Sequence, residues 1–169
     1  MAQDPQCASE RAAMVETIRA YARSEASVLG PQGISDRVLE AVGQTDRHRF
    51  VPGRSCSVAY MDGPVHIGQG QTISQPFIVA LMTDLAAVKV DDTVLEVGTG
   101  SGYQAAVLAR LVRKVYTVEI IPPLAEAAAN VLQDLGYDNV SVKVGVGAFE
   151  RLSFQWTQER VHWRWRGWL

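Results

Sequence analysis

The stretch Thr93-Val94-Leu95-Glu96-Val97-Gly98-Thr99-Gly100-Ser101-Gly102-Tyr103 constrains this chain more than any other. Its first five residues, mostly apolar or β-branched, read as a buried strand. Three glycines at alternate positions then force a tight turn, and residues 103–111, rich in Ala and Leu, read as a helix. Such a turn presents backbone N–H groups and removes side chains where a ligand must approach. The alternation then continues. Residues 114–119 read as a second strand, residues 122–135 as a helix ended by Gly136, and residues 140–144 as a third strand. Strand–helix–strand–helix–strand is half of a doubly wound parallel sheet. Right-handed crossovers would place both helices on one face of it.

The preceding residues follow a different pattern. Residues 9–29 predict a helix, with Met14, Val15, Ile18, Tyr21 and Ala22 at three-to-four spacing. Gly30-Pro31-Gln32-Gly33 breaks it. Ser35 is placed to cap a short helix carrying Val38, Leu39 and Val42, closed by Gly43. Residues 44–72 are rich in loop formers. Residues 75–87 predict a further helix, with Phe77, Ile78, Leu81 and Leu85 on one face.

The 169 residues are enough for one domain with a real core. The net charge is −2 with both signs interspersed, which calls for neither nucleic acid nor an anionic membrane surface. The one local exception is the basic, aromatic run at 162–168, whose composition fits an out-of-frame tail better than a binding patch. No window approaches the roughly 18 apolar residues of a membrane span. Cys7 and Cys56 match no metal-ligand or CxxC spacing, so we expect two free thiols in a reducing compartment and no metal site. The N-terminus lacks an apolar run behind a basic start, and the expected setting is cytoplasmic.

The glycine spacing selects the cofactor. Dinucleotide sites want G-x-G-x-x-G, but Tyr103 stands at the third required position and the spacing here is G-x-G-x-G. An acid, Glu96, sits two residues before the first glycine. This layout resembles S-adenosylmethionine-dependent methyltransferases. A carboxylate there suits a cofactor bearing an ammonium and a sulfonium, not a pyrophosphate. Glu119 ends the second strand, where an acid can accept hydrogen bonds from ribose hydroxyls. A solvated strand-end acid is the alternative reading.

Residues 59–80 run Ala-Tyr-Met-Asp-Gly-Pro-Val-His-Ile-Gly-Gln-Gly-Gln-Thr-Ile-Ser-Gln-Pro-Phe-Ile-Val-Ala. Joined to residues 94–109, and preceded by Arg49-Phe50-Val51-Pro52, they closely resemble the protein-L-isoaspartate O-methyltransferase family over residues 35–147. The resemblance implies an α/β, Rossmann-type S-adenosylmethionine-dependent methyltransferase fold. It implies a methyltransferase domain over 1–147, with a helical and substrate segment at 1–90 and a cofactor-binding βαβαβ unit at 91–147. Residues 148–169 form an atypical tail. The implied activity is repair: a methyl group passes from S-adenosylmethionine to the free α-carboxylate of L-isoaspartyl residues in damaged proteins. Isoaspartyl proteins and peptides are then the substrates, with neither nucleic acid nor membrane as partner, and a monomer is expected.

That chemistry needs little from the protein's acids and bases. A carboxylate with an ordinary pKa near 4 is already ionised at pH 7. Alignment and electrostatics can therefore supply the catalysis. The resemblance gives the catalytic role to Ser74, whose hydroxyl would orient the substrate carboxylate. Capping the helix that begins near Gln75-Pro76 is the other role open to Ser74, and both can hold. Gln71, Thr72, Glu96, Gly98, Thr99, Gly100, Ser101, Gly102 and Glu119 are implied to bind cofactor, and His66 and Ile73 to meet substrate. For Tyr60 and Asp62, packing and turn roles are favoured over substrate contact.

Two departures from the family stand out. Where the family has Gly-Asp-Gly, whose acid meets the adenine amino group, this chain has Gly145-Val146-Gly147. Losing that bond costs roughly 1–3 kcal/mol at a buried site, or about five- to 150-fold in cofactor affinity. All four tryptophans, Trp156, Trp163, Trp165 and Trp168, fall in the tail, where the resemblance has ended. We expect that tail to derive from a frameshift or truncation. A three-stranded sheet with an open edge follows from it. A catalytically impaired or inactive truncated remnant of the family is therefore the alternative function.

Overall fold

The computed structural model describes residues 5–25, 27, 30, 33–51, 53–145 and 161–164, the last four by their backbone. The chain divides into two units, Met1–Ala87 and Val88–Leu169. Among the described residues, no helix is long and apolar enough to cross a membrane.

In the first unit, α1 spans Pro5–Ser24 and buries Cys7, Met14, Ile18 and Ala22. Tyr21, predicted to share that face, is exposed. Helix α2 spans Asp36–Gly43 and buries Val38, Leu39 and Val42, as the periodicity predicts. Ser35 stands at its N-cap, but its side chain makes no cap bond. Its hydroxyl and amide instead both donate to Asp84, at 2.5 and 3.1 Å. A carboxylate distant in sequence out-competes the local cap. A 3-10 turn at Arg47–Phe50 and a short helix α3, Cys56–Tyr60, follow. An Arg11–Asp46 ion pair ties α1 to the head of the 3-10 turn.

The two cysteines correct an expectation. Cys7, early in α1, and Cys56, the first residue of α3, are joined as a disulfide with Cα atoms 5.1 Å apart, a spacing that suits the bond. Forty-nine residues separate them in sequence, so only the packing of α1 on α3 reveals the pair. The free-thiol reading does not stand.

Strands β1 (Val65–Gly68) and β2 (Gln71–Ile73) form an antiparallel hairpin. Helix α4, Pro76–Leu85, follows and buries Pro76, Val79, Ala80 and Thr83. The sequence predicted Phe77, Ile78, Leu81 and Leu85 instead, and Leu85 is 55% exposed. Seven of the ten α4 residues are apolar or aromatic, Pro76 aside, and ring the helix. Periodicity cannot then select a face.

The second unit follows the predicted alternation closely. Strand β3 is Thr93–Val97, α5 is Tyr103–Ala109, β4 is Lys114–Glu119, α6 is Pro122–Asp134 and β5 is Val140–Val144. The strands pair in parallel, with Thr93 opposite Lys114 and Val115 opposite Val140. Both helices pack on β4 and β5. A fourth strand, β6, Val161–Arg164, lies parallel to β3, giving the order β5-β4-β3-β6. The expectation was three strands with an open edge; here a fourth strand lies along β3. Val161 and Trp163 have high strand propensity, and β3's outer backbone groups can pair with an extended segment. Residues 146–160 and 165–169, Val146 and Gly147 among them, lie outside the described residues.

Candidate active site

The first unit positions Ser74 between the hairpin and α4. In the hairpin, Val65 faces Ile73, His66 faces Thr72 and Gly68 faces Gln71. Side chains alternate across a strand. Val65 and Ile73 are buried on one face, while His66 and Thr72 are exposed side by side on the other. The structure thus brings His66 and Thr72 together. Ile73, at 4% exposure, faces the core and can offer a ligand only its backbone. Gln71 is exposed. Gln69 takes φ 53° at the hairpin tip, a left-handed conformation uncommon outside glycine.

Ser74 follows β2 and is exposed. Helix α4 begins two residues later, at Pro76: its N-cap is Gln75, whose side chain makes no cap bond, and Pro76 fills the first turn. The cap comes from Asp62. One Asp62 oxygen accepts from the Phe77 amide at 3.0 Å, and the other accepts from Gln75 Nε2 at 2.8 Å. Ser74's hydroxyl is therefore not the helix cap, and among the described residues it has no hydrogen bond. Its carbonyl does: Arg47 donates to it at 2.9 Å, and Arg47 Nε donates to the Ala59 carbonyl at 2.7 Å. Arg47 is fully buried. Tyr60 is buried too, with its hydroxyl 2.8 Å from His48 Nδ1, and burial pushes its phenol pKa up. The packing reading holds for Tyr60, and for Asp62 the turn reading deepens into a cap.

The second unit carries the glycine loop. Glu96, the fourth of the five residues of β3, is buried, and among the described residues its Oε2 has no hydrogen-bond partner. Burial pushes its pKa up to about 8; Glu119's charge adds to the rise and the Thr117 hydroxyl opposes it. The turn is pinned by Gly98 and Thr99 amides donating to the Val118 carbonyl, at 2.8 and 3.2 Å. Thr99 is buried, its hydroxyl 2.6 Å from that of Thr117. Its side chain is engaged inside the unit, which leaves only its backbone for a ligand. Ser101 Oγ accepts from the Tyr103 amide at 3.4 Å.

Glu119 is 6% exposed, so the solvated reading fails. One oxygen accepts from the Gly100 amide at 2.8 Å and the other from Ile121 at 3.0 Å. The acid at the end of β4 thereby ties down the middle of the loop. A carboxylate has about four lone-pair sites, so ribose hydroxyls could still be accepted.

These residues fit a cationic, hydroxyl-bearing cofactor. Among the described residues, a buried carboxylate oxygen lacks a partner, and a Cβ built on Gly98 (φ 94°) meets no atom within 4 Å. The loop is thus open at its first glycine and closed at its third. A Cβ on Gly102 would meet Leu132 at 3.1 Å and Ala128 at 3.3 Å, both on α6. Arg47 and Thr117 were missed by sequence reasoning, and so was the capping role of Asp62. The one available signal was the lack of a capping residue at Gln75 ahead of an obvious helix.

Comparison with known proteins identifies the family. The protein-L-isoaspartate(D-aspartate) O-methyltransferase family matches residues 27–151. A protein-L-isoaspartate O-methyltransferase 2 of Polaromonas sp. (strain JS666) is 54% identical over 134 residues, 79% of this chain and 64% of that protein. Its counterpart from Syntrophobacter fumaroxidans is 53% identical over 146 residues, 86% of this chain and 59% of that protein. The chain thus spans about 60% of the length of these curated relatives. Among solved structures, a protein-L-isoaspartate O-methyltransferase superposes with a TM-score of 0.68 at 27% identity, covering 81% of this chain and 42% of that one. A putative Plasmodium falciparum enzyme of that kind, in complex with S-adenosyl-L-homocysteine, gives 0.57 at 26%, covering 73% and 62%. The fold is the Rossmann-type methyltransferase fold, and the chain belongs to the protein-L-isoaspartate(D-aspartate) O-methyltransferase family.

Proposed function

We propose that residues 1–147 act as a methyltransferase domain that repairs L-isoaspartyl residues by esterifying their free α-carboxylate. The observation that carries this reading is the exposed Ser74 hydroxyl, not used as a cap, at the head of α4. When bound, S-adenosylmethionine supplies an electrophilic methyl group on a sulfonium. Glu96, Gly98, Thr99, Gly100, Ser101, Gly102 and Glu119 would hold it. Glu96 offers a carboxylate to its positive charge, and Glu119 keeps the loop in shape through Gly100.

The substrate carboxylate is its own nucleophile, because it is ionised at pH 7. Ser74 donates a hydrogen bond to one of its oxygens and aims the other. The positive end of α4 favours the same anion. His66 and the Ile73 backbone flank the peptide. No residue has to remove a proton.

Transfer of labelled methyl groups to an isoaspartyl peptide, against the matching aspartyl peptide, tests this. We expect incorporation into the first alone. Equal background counts on both would overturn the reading. Ser74→Ala removes a donor to a charged group, which is worth roughly 1.5–3 kcal/mol. Activity should fall by about ten- to 150-fold, with cofactor affinity unchanged by calorimetry.

Val146 favours a second reading, the impaired remnant, because it stands where the family has an acid. Val146→Asp should then tighten cofactor binding by about five- to 150-fold in the same calorimetric titration. An unchanged dissociation constant would remove Val146 as the reason for impairment.

A further inference from the structure

We infer that Arg47 and Asp62 are positioning residues for Ser74, a clamp that fixes its backbone from both sides. The inference rests on the proposed role of Ser74. Arg47, fully buried in the 3-10 turn, grips the Ser74 carbonyl at 2.9 Å and the Ala59 carbonyl at 2.7 Å. One planar guanidinium thus joins the end of α3 to the residue before the N-cap of α4. Asp62, three residues after Ala59, accepts from the Gln75 side chain and the Phe77 amide. Ser74 lies between these anchors, with its carbonyl held on one side and the next residues held on the other. Ile73, immediately before it, is locked in the core.

This division of labour answers a chemical need. A hydroxyl that also caps its helix is held by its oxygen to a backbone N–H, which narrows the directions in which its O–H can aim a carboxylate. Asp62 takes over the cap and leaves the Ser74 hydroxyl for substrate. Arg47 sets where that hydroxyl stands. Lysine could not replace it, because an ammonium does not fork to two carbonyls in fixed geometry. A loss of position on the order of 1 Å at a reacting group can cost about 100-fold in rate.

The test uses the full chain with Arg47→Lys, Asp62→Ala and Asp62→Asn. Amide hydrogen exchange is followed over residues 71–78. We expect exchange there to speed up at least tenfold in Arg47→Lys and Asp62→Ala, with the β3–β5 peptides unchanged. Asp62→Asn, which keeps an acceptor for Phe77, should restore protection. Unchanged exchange at 71–78 in both disrupting variants would overturn the clamp. So would acceleration spread evenly over the chain, the mark of general destabilisation.

Kinetics supply the second arm. Asp62→Ala should lower kcat on the isoaspartyl peptide by roughly ten- to 100-fold, while KM for S-adenosylmethionine stays put. In the Ser74→Ala background the same substitution should change kcat less than twofold, because the positioned hydroxyl is gone. Full additivity of the two substitutions would overturn the inference. If Ser74→Ala alone leaves kcat intact, the reading of Ser74 fails, and hydrogen exchange still decides whether the clamp exists. Exchange decides in the same way if the wild-type chain transfers no methyl group. Should Arg47→Lys fail to fold, the two Asp62 variants carry both arms.

Discussion

S-adenosylmethionine should bind on the order of 20-fold more tightly at pH 7.5 than at pH 6, with the gain levelling off near pH 8. The cause is Glu96. Its carboxyl is buried, one oxygen has no partner among the described residues, and its pKa is pushed up to about 8, first by that burial. Below that pH the protein without cofactor keeps Glu96 neutral. A cationic ligand needs the carboxylate, so binding must expel the proton. Each pH unit below the pKa then costs about tenfold in affinity. The gain ends when Glu96 is already ionised and the ligand's α-amine, with an ordinary pKa near 8, begins to lose its own charge. Calorimetry across pH 6–8, in two buffers of different ionisation heat, would register both the affinity and the released proton. Glu96→Gln should bind weakly and flatten the profile. A wild-type profile already flat between pH 6 and 7.5 would remove Glu96 from this role.

The same residue fixes the sign of a stability effect. Glu96's folded pKa lies above its ordinary 4.5, so the folded state holds the proton longer than the unfolded chain does. Its contribution is therefore complete below about pH 4.5 and is lost as pH rises to about 8. The full window corresponds to at most about 5 kcal/mol. Denaturant midpoints of the cofactor-free protein should fall from pH 5 to pH 8, and Glu96→Gln should abolish that fall. A rise over the same range in the wild type, with no change in the variant, would reverse the assignment.

The second unit was the more legible half. Strands at 93–97, 114–119 and 140–144 coincide with β3, β4 and β5 to the residue. There, apolar or β-branched runs end abruptly at glycine, proline or charge, and each signal is local. Residues that act over long range were not legible. Ser35 looks like a cap, yet it bonds Asp84, and nothing in its neighbourhood says so. Cys7 finds Cys56 only because α1 lies on α3. Strand β6 was invisible, since the tail's composition matched nothing in the family, while pairing with β3 needs mainly an extended backbone. At the site, Ser74 and the loop could be named from motif alone. The residues that give Ser74 its place could not, because Arg47 and Asp62 reach it from 27 and 12 positions away through carbonyls and caps.

Two glycines of the loop should separate folding from binding when each gains a side chain. Gly102→Val should cost about 2–5 kcal/mol of stability. Part of that is backbone: φ is 87°, a left-handed conformation that a β-branched residue resists. The rest is packing, because the new Cβ would press on Leu132 at 3.1 Å and Ala128 at 3.3 Å, and a valine's methyls reach further. Domains are typically stable by about 5–15 kcal/mol, so this loss would move the urea midpoint substantially or leave the chain unfolded. Gly98→Ala differs. Its φ of 94° carries a similar backbone cost of about 1–2 kcal/mol, but its methyl meets no atom within 4 Å. That methyl would stand in the opening where a cofactor must approach backbone. Gly98→Ala should therefore fold at a modest cost while losing more than about tenfold in S-adenosylmethionine affinity, the equivalent of roughly 1.4 kcal/mol. Urea denaturation and calorimetry on the two variants read the two effects apart. If Gly98→Ala bound cofactor normally, the open side of the loop would not be the binding face. If Gly102→Val kept the wild-type midpoint, the close approach of α5 to α6 would not be what holds this turn in place.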